Sequence, residues 1–173
     1  MKFSYYSKLS KKNKVIYLKS ESINFIELRK NLTIKKTLQG INRSLKDSDR
    51  LRIELLSQKL IDKICAALML KTLKVKALNT RPINNYGELH GLYEPSFTRA
   101  RPVLTIWTKT SRKKQPIRFK TFLRTLLHEF CHHYDYEHLG LTDSFHTIGF
   151  FNRESSLYKQ LLEYCPPGSL VHL

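Results

Sequence analysis

Residues 116–138 read PIRFKTFLRTLLHEFCHHYDYEH, and both the fold and the chemistry of the chain turn on how this stretch is placed. At about 100° per residue on a helix, Phe119, Leu123, Leu126, Leu127, Phe130 and Tyr134 gather on one side, while Thr121, Arg124, His128, His132 and Asp135 gather on the other. The spacing predicts one amphipathic helix over 116–138. Pro116 suits its first position, where the missing N–H is not needed, and Gly140 is placed to end it in a left-handed cap. The two histidines lie off the apolar stripe.

Upstream, Ser48-Asp49 is a capping signal before LRIELLSQKLIDKICAALMLKTL, in which Leu51, Leu55, Leu60, Ile64, Ala67 and Leu68 approximate a second helical stripe. Residues 74–78 and 103–108 have strand character and are separated by Pro82, Asn84-Asn85, Gly87, Gly91, Pro95 and Pro102. Downstream, Asp143 or Ser144 is the expected N-cap of a last helix reaching Tyr164, which Pro166-Pro167-Gly168 stops. The expected class is α+β, a small mixed sheet packed on helices around a central helix that carries the H-E-x-x-H pattern.

The chain is long enough for one domain with a real core, and the pattern assigns that domain to residues 48–173. Residues 1–47 form a basic N-terminal segment whose order the sequence leaves open. Ile23, Phe25, Ile26, Leu28, Leu32, Ile34, Leu38 and Ile41 supply it with enough apolar residues for one helix, or for strands, packed on the core.

Thirty-one Lys and Arg face 14 Asp and Glu, a formal charge of +17, which favours acidic partners such as nucleic acid, an anionic membrane or an acidic protein. Lys11-Lys12, Lys35-Lys36, Arg99 with Arg101, and Arg112-Lys113-Lys114 with Arg118 and Lys120 are candidate phosphate contacts. The three cysteines, Cys65, Cys131 and Cys165, are widely spaced and odd in number, so no disulfide framework is expected. The N-terminal residues lack the apolar core of a signal peptide. No apolar run approaches the length of a membrane span. A cytoplasmic protein is the expectation.

His128-Glu129-Phe130-Cys131-His132 is the stretch that carries chemistry. Residues four apart stack on one helix face, so His128 and His132 can share one Zn2+ at about 2.0–2.1 Å. Glu129, about 100° round the helix, suits a carboxylate addressing a zinc-activated water. It would take the proton of that water as a catalytic base and pass it to the leaving amine of a cleaved peptide bond.

A catalytic zinc needs a third protein ligand. His138 has the spacing used by metzincin peptidases, although Asp135 stands where that family has its turn glycine. His146 lies beyond the Gly140 turn, and Glu154 matches the glutamate of a following helix used by gluzincins. Asp135 is a candidate acceptor for a ligand imidazole, and Arg153 and Tyr158 are candidate partners of a tetrahedral oxyanion. His133 and Cys131 read as packing residues.

From about Leu104 to Leu162 the chain resembles the SprT-like zinc metallopeptidases, in which H-E-x-x-H is followed by a short crossing and a His-Gly-Pro-x-Phe-like segment. His146-Thr147-Ile148-Gly149-Phe150 keeps the His-x3-Phe spacing, with Thr147-Ile148 in place of Gly-Pro. The resemblance implies a zincin-like small domain, zinc on His128, His132 and His146, Glu129 as catalytic base, and protein substrates held near DNA. It also implies a strand above the active-site helix that binds substrate backbone, and residues 103–108 resemble it. A basic nucleic-acid-binding module with a structural or vestigial zinc site, and a zinc amidase, are the alternative functions.

Overall fold

The computed structural model describes residues 2–28, 33–84 and 87–163. A short 3-10 helix, Ser4–Lys8, leads into helices α1 (Lys11–Ser22), α2 (Lys35–Lys46) and α3 (Arg50–Leu68). Strands β1 (Lys74–Thr80), β2 (Ile83–Asn84), β3 (Gly87–Glu88), β4 (Gly91–Glu94) and β5 (Val103–Lys109) follow, and then helices α4 (Phe119–Glu137) and α5 (Ile148–Glu163). This is a mixed α and β architecture, as the sequence predicts. Cys165 and Pro166-Pro167-Gly168 lie outside the described residues. Among the described residues no helix is long and apolar enough to cross a membrane.

The main sheet has the order β1-β5-β4, with β1 parallel and β4 antiparallel to β5. The central position of β5 explains its near-continuous apolar run: Leu104, Thr105, Ile106, Trp107 and Thr108 are all buried. The sheet edge beside α4 is therefore β4. The expectation that residues 103–108 form an exposed substrate-binding strand is corrected on this point.

Helix α3 begins where expected, its N-cap Asp49 carboxylate accepting the Arg52 backbone N–H at 3.0 Å. Its buried stripe differs from the predicted one. Ile53, Ser57, Leu60, Ile61 and Ile64 face inward, whereas Leu51 and Leu55 are 66% and 54% exposed. Leu60 and Ile64 fit both stripes; it is Ile53, four residues before Ser57 and eight before Ile61, that sets the face.

Helix α4 starts three residues later than predicted. Pro116 pairs with Lys109 as an isolated bridge and Ile117 donates its N–H to the Thr108 carbonyl at 2.9 Å, so the chain is still extended there. Arg118, with φ −60° and ψ 139°, is the N-cap. At the other end Gly140, at φ +60°, allows the reversal that the sequence assigned to it.

The described residues of the N-terminal segment, the stretch between α1 and α2 included, share the core. Ile26, Leu28, Ile34, Leu38 and Ile41 belong to one buried cluster with Leu104, Ile106, Phe122, Leu126 and Phe130. Helix α2 packs on α3, α3 on β1, α4 on β4 and β5, and α5 between α4 and α1.

Candidate metal centre

The apolar stripe of α4 fixes its rotation, and that rotation presents His128 and His132 to a cleft while Phe122, Leu126 and Phe130 enter the core. After Gly140 the chain turns back, and residues 141–147 carry His146 over the same face. Helix α5 then starts at Ile148. Its capping hydroxyl is that of Thr147, which accepts the Phe150 N–H at 2.9 Å. The predicted caps have other partners: Asp143 accepts the N–H of Ser144 at 2.9 Å, and the Ser144 hydroxyl turns towards α4.

Three imidazoles converge. Nε2 of His146 lies 3.0 Å from Nε2 of His128 and 3.1 Å from Nε2 of His132. The outer nitrogen of each α4 histidine is tethered. Nδ1 of His128 stands 3.2 Å from Oε2 of Glu154, whose other oxygen accepts from Arg124 at 3.1 Å. Nδ1 of His132 stands 2.8 Å from the Ser144 hydroxyl, which donates its only proton to Oδ2 of Asp135 at 2.8 Å.

These partners decide the tautomers. A carboxylate only accepts, and a serine oxygen that has spent its proton on Asp135 can only accept from His132. Both histidines therefore carry their proton on Nδ1 and a lone pair on Nε2. A neutral His146 has one N–H and can satisfy one of these lone pairs at most, whereas a cation satisfies all three nitrogens together. His128, His132 and His146 form a group that could hold a metal ion. The observed spacings lie slightly inside the about 3.3–3.4 Å edge of a tetrahedron with 2.0–2.1 Å metal–nitrogen bonds.

Burial favours the neutral forms of His132 and His146. It is the first cause of pushing His132 down to about 3, with His128 and His146 adding to it. Burial, followed by His128, also lowers His146. Phe150 packs against all three rings at 4.7–5.1 Å between centroids, and Phe151 stacks on His146 at 5.8 Å.

Glu129 lies beside the cluster against β4. Burial raises its carboxyl to about 7, although His128 and the Tyr93 backbone both pull the other way. A cleft of about 600 Å³ runs past Glu129 and the histidines and is walled by residues 89–93, which include the edge strand.

The remaining sequence candidates fall into distinct places. His138 is exposed at the C-cap of α4 and stacks on Tyr134 at 4.6 Å, away from the cluster. Glu154 supports His128 from outside the converging nitrogens. Asp135 does not meet the His132 imidazole directly; it accepts the Ser144 hydroxyl, and Ser144 in turn meets Nδ1 of His132. Cys131 is buried. His133 is buried too, donating from Nε2 to the Lys71 carbonyl at 2.8 Å and accepting the Tyr93 hydroxyl at Nδ1, 3.1 Å away. Arg153 is fully buried and bound to Asp135 at 2.7 Å, so it cannot reach a substrate oxyanion. Tyr158 packs beneath the Arg124 guanidinium, 4.3 Å from its ring centroid.

Gly91, Tyr93 and Ser144 were not expected at this site. Gly91, Leu92, Tyr93 and Glu94 are alternately buried and exposed, as in a strand with one face against the protein, but four residues are too few for that pattern to mark the strand in sequence. No protein-family model matches the chain, and searches of curated proteins and of solved structures give no match either.

Proposed function

We propose that this chain is a zinc-dependent metalloendopeptidase of the SprT-like, zincin-like type, with His128, His132 and His146 as zinc ligands and Glu129 as catalytic base. The observation that carries this reading is the convergence of three Nε2 atoms, two of them held as lone-pair donors by Glu154 and Ser144. Three histidines on one side and a cleft on the other form the donor set of a catalytic zinc, which keeps one position for water. When bound, zinc supplies a water acidified to near neutral pH and a Lewis acid towards a carbonyl oxygen.

The protein residues do the rest. With its carboxyl near 7, Glu129 is matched to accept a proton from the attacking water and to return it to the leaving amine at neutral pH. Among the described residues β4 pairs with no strand other than β5, and the Tyr93 backbone bonds the Glu129 carboxylate, so an extended peptide backbone would add along the cleft to the part of the edge that Glu129 leaves open. Recognition through backbone favours broad sequence specificity and supports peptide bonds as the target over small amides.

The test combines metal analysis with cleavage of an unfolded protein substrate. Wild type is expected to hold one zinc and to cleave, and Glu129→Gln to hold zinc without cleaving. A chain that holds no zinc after reconstitution, or an active Glu129→Gln protein, would overturn the proposal.

A second reading, a nucleic-acid-binding module with a structural or vestigial zinc, draws on the charge of +17 and on a separate cavity of about 490 Å³ lined by Lys46, Arg118 and Lys120. It predicts DNA binding that falls steeply with salt and is unchanged in Glu129→Gln. Both properties can coexist if the substrates are DNA-associated proteins. Absence of binding at low salt would remove nucleic acid from the account.

A further inference from the structure

Helix α1 carries a strongly basic sequence, KKNKVIYLKSES, and buries only Tyr17 and Ser20. Its apolar attachment is narrow, made by Tyr17 against Tyr5, Tyr6 and Phe145 and by half-buried Ile16 against the core, and its C-terminal end is tied to the metal centre at several further points. Nη1 of Arg153 donates to the Ser20 and Ile23 carbonyls at 2.7 and 2.5 Å. These belong to the last turn and the cap of α1, where carbonyls lack helical partners and the helix dipole attracts a cation. Nη2 of the same guanidinium donates to the Ser20 hydroxyl at 3.0 Å and to Oδ1 of Asp135 at 2.7 Å. Asp135 in turn holds Ser144, and Ser144 holds Nδ1 of His132.

A second set of ties reaches the loop that carries His146. The Tyr5 hydroxyl donates to the His146 carbonyl at 2.9 Å, and the hydroxyls of Ser20 and Thr147 lie 3.2 Å apart. Lys19 donates to the Leu139 carbonyl at 2.5 Å, and the Glu21 carboxylate accepts the Gly149 N–H at 3.3 Å. A Cβ on Gly149 would collide with the Ser20 and Glu21 carbonyls, so the contact between α1 and α5 is a backbone contact.

We propose that α1 and the Tyr5 segment are structural parts of the metal centre, with Arg153 as the positioning residue that transmits α1 docking through Asp135 and Ser144 to His132. The inference rests on the reading of the three histidines as zinc ligands. Its physical basis is linkage: if docked α1 holds two ligands in their binding geometry, bound zinc must stabilise docked α1 by the same coupling. Loss of a partner that orients a ligand imidazole weakens metal binding by about 10–100-fold.

The test measures zinc affinity by chelator competition for wild type, Arg153→Lys, Ser144→Ala and the double variant, together with amide hydrogen exchange over residues 11–22 with and without zinc. Arg153→Lys keeps a charge and a donor in place but loses the fork of hydrogen bonds. The expected result is roughly tenfold weaker zinc binding for each single variant and no further loss in the double, because both cut one relay. Zinc is expected to slow exchange in α1.

Additive losses in the double variant, single variants within twofold of wild type, or α1 exchange indifferent to zinc would each overturn the coupling while leaving the zinc site standing. A wild type that binds no zinc would remove both proposals. Tyr5→Phe deletes a single hydroxyl and keeps the ring, so with the fold checked by circular dichroism it is expected to weaken zinc binding, and zinc affinity unchanged there would remove Tyr5 from the centre.

Discussion

Gly91 faces Glu129 so closely that a Cβ built on it would lie 2.5 Å from the carboxylate Oε1 and 2.6 Å from the Cγ methylene. The edge strand thus supplies the wall against which the proposed base is held. Gly91→Ala is expected to displace the Glu129 side chain and lower peptidase kcat/KM by at least about tenfold, the scale of a positioning error at a reacting group. Zinc content should be retained. Wild-type activity in this variant would mean that Glu129 does not work from the position seen here.

Metal analysis separates the three candidates for the third ligand. His146→Ala is expected to lose zinc, and His138→Ala to keep it, because His138 stacks on Tyr134 outside the cluster. Zinc loss in His138→Ala with retention in His146→Ala would reverse the assignment.

Glu154→Gln tests the tether on His128. A glutamine can still accept through its amide oxygen but loses the charge that pairs with Arg124 and strengthens the Nδ1–H bond. Zinc affinity is expected to fall about tenfold, with the fold intact by circular dichroism. A complete loss of zinc would instead indicate direct ligation by Glu154.

In the metal-free protein the raised carboxyl of Glu129 makes stability depend on pH. The folded group titrates at about 7, above the about 4.3 of an unfolded Glu, so the unfolded chain ionises it more readily. Its contribution to stability is full below about pH 4 and is lost as pH rises through 7, a total on the order of 3–4 kcal/mol. Glu129→Gln lacks this loss. Urea titrations of the two metal-free proteins between pH 5 and 8 should diverge, the variant gaining relative stability as pH rises. Parallel curves would show that Glu129 is solvated in the absence of metal.

The central helix was legible because its apolar residues repeat at helical spacing from Phe119 to Tyr134, more than four turns, and that periodicity alone sets which face His128 and His132 occupy. The strands were legible in part. β5 announced itself by its apolar run, whereas β4 is four residues with a glycine at one end, too short for alternation to stand out. Nothing in the local sequence marks Arg153 as buried, because arginines are mostly exposed. Its burial depends on Asp135, eighteen residues earlier, and on carbonyls 130 and 133 positions away, none of which a local window contains.

What the sequence determined by itself is the set of groups within one turn of one helix: two histidines four residues apart, a glutamate beside the first, and an apolar stripe that turns them outward. Those relations are local, and backbone geometry fixes them. Tertiary structure decided that His146 and not His138 meets the pair, that β4 and not β5 walls the cleft, and that α1 anchors the network behind His132. Each of these depends on where a reversing chain comes to rest, and that is set by packing and hydrogen bonds between residues far apart in sequence.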